Sequence, residues 1–484
     1  MGKEEIVNET QEQDKKEEKK EIKIINTDNA ENHGENRCPE CGSSDVTYNI
    51  KKGKLICNYC YTEFDSEAVA GIEEAKNLSG ESRGSGTKDI KEGTDDVITL
   101  RCGGCGAEVV INTKEATNAR CHWCRSILSI NSQIENGAIP DVVLPFGLEK
   151  TAAEEKIKNF VAKRSFFAHP KFKQEFMPSN IMGVFFPYML VDANAHGNFK
   201  GKGEHEVRRY TVEHNDKEET YYDADLYRVE REFDISIDDL SIESSRDKLD
   251  KGNKNKTTNV INSIMPFDTE NCVKYKANYL AGYSSEKRDI NINEIEDKVD
   301  KELKDVTRFA LNKEIKFYDR GVRWEQEDLE IKGKQWISAY LPVWLYSYQD
   351  PKEKLHYVAV NARTGETMGS IPMNKTKLLF ITMLIEILCL FVAFLIDNHS
   401  KDKTSIFLYI LFSLISIIYY GVKKSKYRNG GARHSYEKET KNEITNVTKV
   451  DELEKHLKRL SNSTMKGANN KKLEGESIKI AKKQ

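Results

Sequence analysis

Residues 38–60, CPECGSSDVTYNIKKGKLICNYC, and residues 102–124, CGGCGAEVVINTKEATNARCHWC, decide the reading of this chain. Each runs CxxC, fifteen residues, CxxC, and the second copy repeats the first with every cysteine displaced by 64 positions (Cys38 to Cys102, Cys57 to Cys121). A CxxC turn brings two thiolates to one side of a tetrahedral ion, and a short hairpin delivers the second pair. Cys38, Cys41, Cys57 and Cys60 therefore read as one ligand set, and Cys102, Cys105, Cys121 and Cys124 as another. Four thiolates leave no position for water, so the expected cofactor is zinc in two structural sites. Disulfides suit an oxidising compartment, and a redox dithiol rarely comes as two spaced pairs. His33 and His122 lie beside the knuckles but are surplus to four sulfurs.

The first hairpin alternates over Val46-Thr47-Tyr48-Asn49-Ile50, turns at Lys51-Lys52-Gly53 and returns through Leu55-Ile56. Gly42 and Gly106 follow the first knuckle of each copy, where a positive φ comes at little steric cost. These ribbons sit in a chain of 484 residues, 38% hydrophobic and 32% charged, too polar to be globular throughout. Residues 1–36 hold eleven acidic and six basic side chains and read as a disordered acidic tail. Ribbon 1 then spans 37–66, a Gly/Ser/Glu/Lys-rich flexible linker 67–98, and ribbon 2 99–130. No secretory or myristoylation signal opens the chain.

Residues 138–373 alternate apolar runs with charged stretches, as an α+β cytosolic domain would. They contain an internal echo. Val143-Leu144-Pro145-Phe146 precedes an amphipathic helix at 151–163 with a Thr151-x-x-Glu154 capping box, and Ile264-Met265-Pro266-Phe267 precedes one at 293–311. Proline-bearing aromatic strands follow, at 184–190 and 340–346, with proline expected at edges or bulges. Residues 355–360 and 366–369 flank Asn361-Ala362-Arg363-Thr364-Gly365 as a hairpin. His196, His205 and His214 lack metal spacing, and Cys272 lacks nucleophile machinery.

Residues 378–396 carry one charge, Glu386, and 406–422 none, each long enough for a transmembrane helix. The short connection at 397–405 makes them an antiparallel transmembrane hairpin. Lysines at 375, 377, 423 and 424 flank its outer ends, which by the positive-inside rule puts both termini and the ribbons in the cytoplasm of a multi-pass cell-membrane protein. Residues 421–484 carry seventeen basic and eight acidic side chains, so the tail at 423–484 is expected on anionic lipid. Val450, Leu453, Leu457 and Leu460 fall at heptad spacing within it.

The paired CPxCG-type ribbons, the PF-helix segments, FFPYML at 185–190, YLPVWLY at 340–346, VNARTGETMGSIP at 360–372 and the terminal apolar helices resemble bacterial TFIIB-type zinc-ribbon membrane proteins. Relatives of that kind are sometimes labelled as resembling the primosomal helicase PriA. The resemblance implies zinc at the eight cysteines. A motor would need a phosphate loop, and GxxxxGK[ST] occurs nowhere in the chain.

Three functions follow. The first is a membrane-anchored adaptor or scaffold acting through protein partners. The second is a membrane-tethered nucleic-acid-binding protein, suggested by Tyr48, Lys51, Lys52, Lys54, Tyr59 and Tyr61 on one hairpin and Arg120, Trp123 and Arg125 on the other. Against it, residues 37–65 have four basic and four acidic side chains, whereas phosphate contact demands an excess. The third, an enzyme, has no triad, open metal site or small-molecule site to support it. The adaptor, without catalysis, is the expectation.

Overall fold

The computed structural model describes residues 24–27, 36–67, 75–87, 97–115, 119–214, 217–245, 264, 267–315, 317–318, 321–349, 355–399, 406–426 and 468–482. The tail heptad, the 400–405 loop and most of the acidic segment expected at 1–36 lie outside these residues.

Strand β1 (Ile24–Thr27) is followed by the first ribbon, β2 (Val46–Asn49), β3 (Lys54–Cys57) and β4 (Glu63–Phe64). Next come β5 (Gly80–Gly84), the second ribbon's β6 (Val97–Arg101), β7 (Glu108–Asn112) and β8 (Gln133–Ile134), and then β9 (Val142–Val143). Helices α1 (Lys150–Ala162) and α2 (Pro170–Glu175) lead into the long strands β10 (Met182–His214) and β11 (Lys217–Glu243). After them stand β12 (Val273–Lys274), β13 (Ser284–Glu286), α3 (Ile292–Glu314) and β14 (Val322–Gln349). The hairpin of β15 (Leu355–Asn361) and β16 (Thr367–Gly369) precedes helices α4 (Lys375–His399) and α5 (Ile406–Lys426), and β17 (Ala468–Lys482) closes the chain.

The antiparallel ladder between β10 and β14, from Met182↔Leu345 to Gly203↔Val322, is the spine. Side chains alternate across it, as a period of two requires. Tyr340, Trp344, Tyr346 and Tyr348 join Phe185, Phe146, Ile157 and Phe172 on the α1 and α2 side. Ile337, Ala339, Leu341, Val343 and Leu345 join Val184, Phe186, Tyr188 and Leu190 on the face of the second ribbon. Burial on both faces explains why these strands read as unbroken apolar runs.

Pro187 and Pro342 lie inside this spine, opposite Tyr340 and Phe185, not on an edge. Each falls where the neighbouring strand changes. The β13 pairing of β10 ends at Phe185 and the β11 pairing begins at Tyr188. Likewise, β9 leaves β14 at Tyr340 and β15 joins at Val343. The donor a proline lacks is thus missing where no strand would have accepted it. The elements β9–α1–β10 and β13–α3–β14 run in the same order, with β9 parallel to β14 and β13 parallel to β10.

From Tyr188 onward β11 joins the other side of β10, widening the spine into a three-stranded arm that continues past Gly203 as the β10–β11 hairpin. Thirty-three residues of β10 reach about 100 Å when extended. Helix α3 packs Ile295, Val299 and Leu303 on the arm's root, against Val191, Ala195, Phe233, Ile235 and Trp336. Gly197 faces Phe233 across the ladder, where a Cβ would meet the ring at 2.2 Å. The capping box forms on α3, through Asn291 and Glu294. Helix α1 instead starts at Lys150, so Thr151 is inside it and is not its cap.

Part of the stretch expected as a flexible linker, 67–98, is built into the domain. β5 runs parallel to β14, from Gly333↔Gly80 to Trp336↔Arg83, and β1 lies parallel to β5 on its other side. Asn194 Nδ2 donates to the carbonyls of Lys76 and Leu78. Buried Arg288 donates to those of Gly86 at 2.5 Å and Thr87 at 2.9 Å, and Asp141 Oδ1 accepts from Gly86 N at 2.7 Å. These partners lie remote in sequence, which composition cannot reveal. Similarly, the end of the basic tail expected at 423–484 contributes β17, antiparallel to β11 from Thr220↔Lys482 to Arg231↔Ala468.

Residues Lys375–Asp397 form a helix long and apolar enough to cross a membrane. The second apolar stretch is the helix α5, which places Ser413 and Ser416 against Glu386 of α4. Arg288→Ala would strand two buried carbonyls at about 1–3 kcal/mol each; the expected outcome is new tryptic cleavage at Arg83, protected in the wild type, and mass spectrometry of the fragments checks it.

Candidate metal centres

Each knuckle is a backbone device before it is a ligand pair. Gly42 N donates to Cys38 O and Tyr61 N to Cys57 O, both at 2.9 Å; in ribbon 2, Gly106 N donates to Cys102 O and Arg125 N to Cys121 O. All four turns place their fifth residue at positive φ, 70° and 81° for the glycines, 62° for Tyr61 and 67° for Arg125. A side chain in that region is strained and persists only when its surroundings hold it. Sequence reading flags the glycines and misses Tyr61 and Arg125, because nothing in their chemistry announces a left-handed turn.

The turns converge four sulfurs in each ribbon, all mutually within 4.8 Å. Cys38 and Cys60 Sγ are 3.4 Å apart and Cys41 and Cys57 3.6 Å; Cys102 to Cys124 is 3.4 Å and Cys105 to Cys121 3.5 Å. A disulfide would need about 2.05 Å. Tetrahedral ligands at a zinc–sulfur distance of about 2.3 Å stand about 3.8 Å apart. Both groups are therefore positioned to hold metal ions, in a geometry consistent with zinc. Each group draws its four sulfurs from a single ribbon.

The two centres differ in their surroundings. Cys41 and Cys60 are exposed, whereas Cys105 and Cys124 are half-buried. The Thr62 hydroxyl, 3.2 Å from Cys60 Sγ, and the Thr62 N–H hold the Cys60 thiol down to about 6. Cys124 is also lowered, by Cys105 and Cys121 first and by Ser126 after them. Thiolate is the ligating form, so both hydroxyls favour metal loading.

Ribbon 2 is part of the main sheet, whereas its sequence suggests a free-standing module. β7 pairs with β13 through Ser284↔Ile111 and Glu286↔Val109. His122 is buried, its Nδ1 3.1 Å from Ser284 Oγ, and its carbonyl accepts from Ser347 Oγ at 2.8 Å. Trp123 Nε1 donates to Glu286 Oε1, and the Trp123 ring meets Phe186 and Tyr357 edge-on. His122 and Trp123 thus fasten the second knuckle to the spine. Ribbon 1 keeps its own three-stranded sheet and docks by its hairpin. Asn278 Nδ2 donates to Ser44 O and Val46 O at 3.2 Å, Tyr48 packs on Tyr279, and Lys51 pairs with Glu149 at 3.3 Å. Lys52 pairs with Glu63, and Lys54 with Asp65 at 3.5 Å. Tyr59 and Tyr61 remain 77% exposed, whereas Tyr48 and Trp123 do not.

Sequence reading also missed a trio of carboxylates, Asp192, Asp238 and Asp239, at the bulge where β10 meets β11. Asp192 is buried and accepts from Asp239 N at 2.7 Å. Burial, and then the charge of Asp239, push it well above the usual carboxylate range.

Cys60→Ser and Cys121→Ser should each reduce bound metal from two ions to one by elemental analysis. Only Cys121→Ser should also lower the main unfolding transition, because its ribbon shares strands with the spine.

No protein-family model matches this sequence, and no solved structure matches it. The chain is similar to the uncharacterized protein YdjG of Bacillus subtilis (strain 168), with 24% identity over 347 residues that cover 70% of this chain and 91% of that protein.

Proposed function

We propose that this chain is a membrane-anchored, zinc-containing scaffold that presents protein-binding surfaces on the cytoplasmic side and performs no catalysis. The observation that carries this reading is the state of ribbon 1. Its lysines 51, 52 and 54 each have an acidic partner, while Tyr59 and Tyr61 stand exposed beside the metal knuckle. Neutralised lysines offer phosphate little, and exposed tyrosines on a rigid turn are typical anchors of protein interfaces. Zinc in both four-cysteine sites would be structural, since no ligand position is left open.

Helices α4 and α5 are read as a two-pass hairpin. Leu379, Phe380, Ile387, Leu388, Phe391, Ile410, Ile417 and Ile418 face outward, which suits lipid and not water. Ser413 Oγ donates to Glu386 at 2.7 Å, and Ser416 donates to the same carboxyl group. That satisfies Glu386, midway along the first span, from the second, as an intramembrane polar group requires. The lysines at 375, 377, 423 and 424 support a cytoplasmic position for both termini by the positive-inside rule. The relation to TFIIB-type zinc-ribbon membrane proteins belongs to this reading, and so does the anionic-lipid contact of the basic tail.

Tyr59→Ala with Tyr61→Ala should release a protein partner retained by the wild-type chain in detergent, weakening it about 30-fold per hot-spot tyrosine. Full-length protein should show no salt-dependent affinity for single- or double-stranded nucleic acid. Binding that falls steeply with salt would move the tethered nucleic-acid reading to first place.

A further inference from the structure

Where the cytosolic body meets α4, one segment fits neither the metal centres nor the spine. His169 N donates to Pro372 O at 2.8 Å, Asn374 N donates to Phe167 O at 2.7 Å, and Ala168 bridges Met373. Residues 163–173 are thereby strapped to the start of α4. Phe167 and Phe172 anchor the strap in the core, while Phe166 points outward and is 56% exposed. Lys377 Nζ lies 3.9 Å above the Phe166 ring and donates to Phe166 O at 2.9 Å.

The height of Phe166 is set by that contact. Lys377 precedes Leu379 and Phe380, the first outward-facing apolar side chains of α4, by two and three residues, about 3–5 Å of helix rise. Interfacial aromatics and snorkelling lysines are favoured at this level of a bilayer. Lys163, Lys171 and Lys173 on the strap are exposed, as is Lys375. Glu175, the one acidic residue of 163–177, already holds Lys171 at 3.7 Å and Tyr348 Oη at 2.8 Å.

We propose that residues 163–173 are a second membrane contact, which seats the cytosolic body on an anionic phospholipid surface with Phe166 in the interface and Lys163, Lys171 and Lys173 over the headgroups. This rests on the reading of α4 as a membrane span. The seat fixes the tilt of the body, and the spine strands with it, relative to the bilayer plane.

The test uses the full chain in vesicles whose lipids carry brominated acyl chains, either phosphatidylcholine alone or with about one third phosphatidylglycerol. Phe166→Trp adds an indole at the strap and Phe380→Trp one on the outward face of α4, with wild-type emission subtracted for the four native tryptophans. The expected result is loss of about half the added emission at position 166, as for a ring 5–10 Å into the interface, with stronger quenching at position 380. Adding Lys163→Gln, Lys171→Gln and Lys173→Gln should cut the seated-to-lifted ratio about fivefold per lysine in anionic vesicles only. Quenching at 380 with none at 166 would overturn the seat and leave the span intact. No quenching at either position would overturn the span, and the seat with it. Quenching at 166 that ignores both lipid charge and the lysine changes would overturn the anionic contact.

Discussion

The pairing of β10 with β14 is the constraint on which the rest of the molecule depends. Its two faces carry separate cores, so each strand is buried whichever way a side chain points. Strands β5, β9, β11, β13 and β15 all attach to one of these two. A one-residue slip would exchange the side chains of the two faces, moving Trp344 and Tyr346 into the ribbon side and Val343 and Leu345 under the helices. The volumes differ too much for either core to tolerate that.

The two ribbons share one four-cysteine arrangement and sit differently in the fold. Ribbon 1 keeps its own sheet and touches the body through Asn278, Tyr279 and Glu149, with Val46 and Leu55 packed into the core on the α1 side. Ribbon 2 lends β6 and β7 to the sheet, and His122 and Trp123 run from its last knuckle straight into the hydrophobic layer under the spine. Duplicated local geometry has been placed in two environments, one with two exposed cysteines and one with the matching pair half-buried.

Much of the site was legible in the sequence, and much less of the architecture. Ligand pairing within each hairpin follows from spacing alone, because the constraint is local. The hairpin over Asn361 and Gly365 was legible for the same reason: Asn361 Oδ1 accepts from Arg363 N and Thr364 N, and Gly365 takes a φ of 78°. The arm was not. Lys200 to Gly203 read by composition as a solvated segment, and they form an inner strand because β11 and β14 pair with them from both sides. The linker was misread for a related reason, since Arg288 and Asp141 hold residues 84–87 from far along the chain. Left-handed turns at Tyr61 and Arg125 are geometric facts with no compositional signature.

The merging of ribbon 2 with the sheet bears on how the chain matures. In the folded protein β7 covers the outer edge of β13, and β6 and β8 extend the layer beyond it. Were a metal ion the clamp on this hairpin, a nascent chain without it would leave an uncovered strand edge beside an apolar layer. Such an edge recruits other chains into aggregates. Metal supply during synthesis would then act as a checkpoint on solubility, deciding which copies persist in the cell and which are passed to proteases, quite apart from any role the ion has in the finished protein.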